Sequence, residues 1–299
     1  MHGTLFIAVL AGLGGMIGWG FSEFAAKKSV DIVGTISSLV WAHIFGSVIL
    51  FALLLSRLGI VHNAALLPGS LEEWLRLICF GVLQTVVYYF AYKAFEKGEV
   101  SILSPIFASF AGIVALLSVV LFGEVLRVTF IPVLALIFIG TILINLDLKS
   151  LRAGRIRLKA VAGLKEIIIA TLLAAIWTLG WDKTTQNKDW LVYTSFMFLF
   201  MTLSAYVLAK QTKTDIWRIK PRAWRFLWLI GIGEVGAYLA ITLGYASTTH
   251  ASIVAVLSGA SSLVTIILAR MFLKEKMTTL QTASCIIIIT GIVFLATTT

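Results

Sequence analysis

Charge is what this sequence has least of. Only 13% of its 299 residues are Asp, Glu, Lys or Arg, while 60% are hydrophobic and the mean hydropathy is +1.00. A soluble domain carries roughly 25% charged residues, so a water-soluble globule is excluded. There are four prolines and no ten-residue segments of alternating polarity, which excludes an outer-membrane barrel. The two cysteines, Cys79 and Cys285, stand in apolar runs with no second thiol at ligand spacing, and read as small packing hydrophobes. No glycine-rich phosphate loop ending in Gly-Lys-Ser/Thr occurs. The four histidines, His2, His43, His62 and His250, are scattered without an HExxH or paired-acid motif. These absences weigh against nucleotide hydrolysis and against a membrane-embedded enzyme. No ring of charges or filter sequence marks a channel. The expectation is a non-enzyme with no cofactor and no metal.

What is present is apolar runs of about 20 residues, the length a bilayer core demands of a helix. Their hydrophobic positions are too continuous to leave a polar face, so the helices are buried in lipid or in one another. Ten spans are read, at 4–26, 35–56, 73–95, 100–122, 128–147, 164–182, 190–209, 224–245, 251–272 and 278–297. The first run has no basic leader segment and continues as a full span, so no cleavable signal is expected. Nineteen of the 24 basic residues fall on one side of this arrangement. By the positive-inside rule that side is cytoplasmic and both termini are outside. The formal net charge of +10 then reflects anionic lipid rather than nucleic acid.

Much of the stretch Glu99 to Gly140 occurs twice. Moved forward by 151 positions it lands without a gap on His250 to Gly291. Ser101-Ile102 falls on Ser252-Ile253, Glu124 on Glu275 and Gly140 on Gly291, with six identities in 42 positions. The shared order of helix, acidic turn and helix says more than the identities. The chain divides into a first repeat (1–148), a basic connecting loop (149–163) and a second repeat (164–299). Five spans per half force the second half to insert upside down. The expected fold class is an all-α polytopic membrane protein of ten transmembrane helices, arranged as two inverted five-helix repeats.

Ionisable groups inside a span are costly and are candidates for function. Glu234 lies about ten residues into the eighth span, among Gly231, Gly233 and Gly236. It reads either as a packing acid or as a carboxylate that binds substrate or a proton. Glu23 has two readings as well, a substrate or coupling carboxylate and an i,i+4 pair with Lys27. His43 reads as a packing histidine, Asp182-Lys183 as interfacial, and Lys93, Glu96 and Lys97 as a solvated helix end. Spacing adds a pattern. Trp19 and Glu23, then Gln84, Tyr88 and Tyr92, then Trp177 and Trp181, then Glu234 and Tyr238 recur at steps of four, each set on one helix face. The four helices hold matching places in the two halves, and together would wall an aromatic cavity. Such a cavity suits a zwitterionic or amphipathic metabolite, although Trp and Tyr also gather at membrane interfaces. The fourth and ninth spans are rich in small residues, Gly259 among them, and should pack closely near the pseudo-symmetry axis. Ser104-Pro105 faces Val256 in the repeat register, an asymmetry that marks a hinge in the first half.

Several of these stretches resemble the drug/metabolite transporter superfamily, in particular its ten-span EamA-type members. Trp19 to Lys27 is similar to the family's tryptophan-glycine motif. Ala91 to Phe95, Gly98 to Ser101 and Ser104-Pro105 are similar to its third-to-fourth-span hairpin. Phe122-Gly123-Glu124 and Leu273-Lys274-Glu275 are similar to the turn that closes the hairpin in each half. The resemblance implies a secondary transporter, and an amino-acid exporter is the nearest type, with Tyr88, Tyr92 and Trp177 at cavity-lining places. Lys274 in place of glycine, Val256 in place of proline and the outside termini depart from the pattern. The partners expected are a small-molecule substrate, membrane lipid, and a proton or other coupling ion taken by Glu234 or Glu23. The protein is placed in the inner or plasma membrane, as a monomer or homo-oligomer.

Overall fold

A bilayer core offers backbone groups no partner outside the segment, so apolar runs of this length fold as helices. The computed structural model describes residues 2–61, 67–98, 103, 106–126, 128–144, 162–273 and 278–297, and among them no strand occurs. The helices are α1 (His2–Val33), α2 (Thr35–Val61), α3 (Leu71–Lys97), α4 (Phe110–Phe122), α5 (Phe130–Ile144) and α6 (Leu164–Thr185). They continue with α7 (Trp190–Gln211), α8 (Trp224–Ser247), α9 (Ala251–Gly259), α10 (Ser262–Leu273) and α11 (Thr279–Thr297). Among the described residues seven stretches are long and apolar enough to cross a membrane: α1, α2, α3, α6, α7, α8 and the run from Ala251 to Leu268. Shorter apolar helices stand at the fourth, fifth and tenth expected spans. Ser104-Pro105, Lys274-Glu275 and nearly all of the basic connecting loop lie outside the described residues.

The ends of the helices are written in local chemistry. Ser70 accepts the Glu73 amide at 3.2 Å while Glu73 accepts the Gly69 amide at 2.7 Å, a capping arrangement that starts α3. Thr278 and Gln281 exchange the same pair of bonds ahead of α11. Asp189 caps α7 by accepting the Leu191 and Val192 amides, and Arg57 of α2 grips the same carboxylate at 2.9 and 2.8 Å. Asp189→Ala removes the cap and leaves Arg57 without its partner. Thermal unfolding in detergent should show a loss of about 1–2 kcal/mol; an unchanged midpoint would remove this cap from the account of stability.

Helix pairings repeat when the halves are exchanged. α1 packs on α8 as α6 packs on α3, and α1 meets α9 as α6 meets α4. α2 touches α8 as α7 touches α3, while α2 with α7, α4 with α9 and α5 with α11 pair with their own counterparts. The small residues of the fourth and ninth spans do what their size permits: a side chain on Gly259 would stand 2.7 Å from the Ala111 Cβ. The ninth span, read as one helix, is interrupted. Ala260-Ser261 forms a turn with short-range bonds from Ala260 to Leu257 and from Leu263 to Ala260. Gly259, expected to serve hinge or packing, thus lies at the break between α9 and α10 as well as in the α4–α9 contact.

Candidate functional site

The site is built on one helix crossing. α1 and α8 meet at Gly18 and Gly233, where each glycine lies against the other's carbonyl oxygen. A Cβ on Gly18 would stand 2.5 Å from the Gly233 oxygen, and one on Gly233 would stand 2.7 Å from the Gly18 oxygen. Absent side chains let the backbones touch, and this contact brings Ser22 of α1 beside Glu234 of α8. The glycines around Glu234 therefore have a visible use at Gly233, while Gly236 faces open space.

Below the crossing α1, α3, α4, α6, α9 and α10 enclose a cavity of about 260 Å³. Six of the expected site residues line it: Trp19, Glu23, Gln84, Tyr88, Tyr92 and Trp177. Gly259 and Ser261, at the break in the ninth span, line it too. Aromatic faces dominate the wall, with polar groups spaced among them. The Trp19 indole nitrogen and the Gln84 carbonyl oxygen have no hydrogen-bond partner among the described residues, leaving one donor and one acceptor unpaired. Glu23 accepts from Ser261 Oγ at 2.9 Å and from Thr265 Oγ1 at 3.4 Å. The break in the ninth span serves this carboxylate, because a freed turn presents Ser261 to it.

Trp181, Glu234 and Tyr238 do not line the cavity; they form the layer behind it. Tyr238 Oη accepts from Gln84 at 2.6 Å and donates to Tyr88 Oη at 3.2 Å, tying the layer to the wall. Trp19 and Trp177 meet the Tyr238 ring edge-on, and Trp181 stacks on Trp177. Trp181 also donates to Thr242 at 3.0 Å, so its place is interior rather than interfacial. Glu234 is fully buried. Its Oε1 accepts long bonds of 3.4 Å from Ser22 and Tyr92. Its Oε2 lies 3.3 Å from His43 Nε2, outside hydrogen-bond geometry.

Four expectations from sequence change here. Lys27 pairs with Asp31 at 2.8 Å, and Glu23 turns to α10 and the turn before it instead. His43 is no ordinary packing histidine: it is buried against Glu234, Tyr88 and Phe198. Asp182 is 3% exposed, a buried acid rather than an interfacial one. The group Lys93, Glu96 and Lys97 is solvated only in part, since Glu96 accepts from Thr35 and Lys97 reaches Glu166 at 2.6 Å. Ser22, Ser261 and Thr265 were legible only as small or neutral residues. Nothing in their spacing announces that a carboxylate faces them across 212 to 242 positions of chain.

Fold and cavity together define a polytopic helical membrane protein made of two equivalent halves with an aromatic-walled chamber between them. The chain belongs to the EamA-like transporter family, whose model matches it twice, over residues 6–146 and 162–297. The family lies in the drug/metabolite transporter superfamily, so the protein is a membrane transporter. A solved structure, described only as the crystal structure of a protein, has the same fold at a TM-score of 0.76. It shares 18% identity, and the match covers 97% of each chain. No curated protein matches the sequence.

Proposed function

We propose that the protein is a secondary transporter of a small polar or amphipathic metabolite, an amino acid in the first instance, across the inner or plasma membrane. The observation that carries this reading is the cavity between the halves, which sets one carboxylate, Glu23, among aromatic faces. A carboxylate can hold a substrate ammonium, and the aromatic wall can take an apolar side chain or a cation. Two oppositely inserted halves rocking about this chamber would expose it to each side in turn. The basic loops face the cytoplasm on this reading. Glu234 and Glu23 are the candidates for proton coupling.

The deciding experiment uses purified protein in liposomes loaded with unlabelled amino acids, in which uptake of labelled ones is followed. Saturable, trans-stimulated uptake supports a carrier; flux that does not saturate rejects it. The same carboxylate also favours a second reading, a transporter of organic cations, and quaternary amines in the same assay separate the two. Glu23→Gln keeps the bonds to Ser261 and Thr265 within reach but loses the charge. Charge-assisted bonds contribute about 1.5–3 kcal/mol, so half-saturation for amine-bearing substrates should rise roughly 10- to 100-fold. An unchanged value removes Glu23 from ammonium binding.

A further inference from the structure

The two ends of the bundle are different chemical places. Lys27 and Lys28 line the cavity in the last turns of α1, and at the same end Lys97 of α3 meets Glu166 at the start of α6. The opposite end holds the end of α6 and the end of α8, joined by the Asn187 amide on the Ala246 carbonyl at 3.2 Å. There the first half reaches into the second. Gly123 ends α4 in the left-handed region at φ 64°, and the Glu124 amide bonds back to Ser118 at 3.1 Å. This turn directs the Glu124 side chain, 4% exposed, onto the start of α9. One carboxyl oxygen accepts the Ser252 amide at 3.1 Å, and the other accepts the Ser252 hydroxyl. Ser252 is in the first turn of α9, so its amide is a donor the helix itself cannot satisfy.

We propose that Glu124 is a proton-binding latch that holds this end of the transporter closed by capping α9 across the two halves. The groups facing it are Asp182 and Lys183 from α6, Tyr245 from α8, and His250, whose Nδ1 is 4.0 Å from the carboxyl. Burial is the first cause that pushes Glu124 up from 4.5 to about 7. The two Ser252 bonds oppose it, the Asp182 charge adds to it and Lys183 subtracts. Burial also pushes the His250 ring down, away from the charged form. The sign follows from linkage. A carboxyl whose buried value lies above its exposed value binds the proton more tightly in the closed form. Closure is fully favoured below about 4.5 and loses that support as pH rises through about 7. The span from 4.5 to about 7 bounds the swing in the closed-to-open ratio at roughly 300-fold. The latch concerns gating alone and stands whatever the substrate is. The repeat register places the same residue types at Glu275 and Ser101, outside the described residues.

Spin labels at Val128→Cys and Thr249→Cys, both exposed, report the separation of the two sides of the latch. The background is Cys79→Ser with Cys285→Ala, and distances are read in lipid nanodiscs from pH 5 to pH 9. A single short distance is expected at pH 5, with a longer population growing as pH rises through about 7. Glu124→Gln should keep the short distance at every pH. Ser252→Ala, which removes one of the bonds made only in the closed form, should enlarge the longer-distance population across the pH range, and it serves as the test if the first variant fails to fold. A distance distribution that ignores pH, or a response unchanged by both substitutions, overturns the latch.

Discussion

Glu234→Gln protein in liposomes is expected to lose accumulation driven by a pH gradient while still exchanging substrate with substrate. The reason is the isolation of this carboxyl. It is fully buried, no Lys or Arg among the described residues comes within ion-pair distance, and the basic side chain described beside it is His43 at 3.3 Å. An ionisable group inside a membrane span is costly to place there and is a functional candidate for that reason. The amide keeps shape and volume and can still accept from Ser22 and Tyr92, but it cannot carry the proton. If one proton moves per substrate, a gradient of one pH unit can sustain up to about tenfold accumulation, and the variant should fall to the level of simple equilibration. Counterflow, in which no net proton need move, should persist. Driven accumulation at the original level in the variant would rule out Glu234 as the coupling group. Loss of counterflow as well would instead assign it to substrate binding or to the fold.

Gly18 carries the second large effect. A methyl group there would enter the space of the Gly233 oxygen at 2.5 Å and of the Ala237 backbone at 2.6 and 2.9 Å. These are backbone atoms of a packed helix, and they yield only if α1 and α8 separate. Overpacking of this kind typically costs 1–3 kcal/mol, so Gly18→Ala should lower stability by about that much. Gly18→Leu should prevent assembly of the folded transporter. The same separation carries Ser22 away from Glu234, so the alanine variant should also impair driven transport. Thermal unfolding in detergent gives the first readout; a midpoint equal to wild type would mean that the helices do not cross where the glycines meet.

The contrast between these residues shows what kind of information the chain displays. Glu234 announces itself in sequence, because a carboxylate inside an apolar run has few inexpensive explanations. Its neighbour His43 does not, since a single histidine in a span suits many roles and its meaning lies 191 positions away along the chain. Glu23 was visible as an acid but not by its partners. An i,i+4 lysine was the nearest local explanation, yet Lys27 turns to Asp31. Trp19, Gln84, Tyr88, Tyr92 and Trp177 were found by their four-residue steps, which report a shared helix face. That spacing cannot tell a cavity wall from the layer behind it, which is where Trp181 and Tyr238 stand.

The sequence by itself determined that the protein is helical and membrane-embedded, and that it is duplicated. Hydropathy and the scarcity of charge act on every residue and need no partner. The repeat register is likewise carried in the order of residues along the chain. Only the tertiary structure decided which polar groups share a site. The crossing of α1 with α8 joins Ser22 to Glu234, the break before α10 brings Ser261 to Glu23, and the α4–α5 turn places Glu124 on Ser252. Each depends on two helices from different halves approaching to within a hydrogen bond. That approach is set by small residues and close packing, whose effect exists only once both surfaces are present.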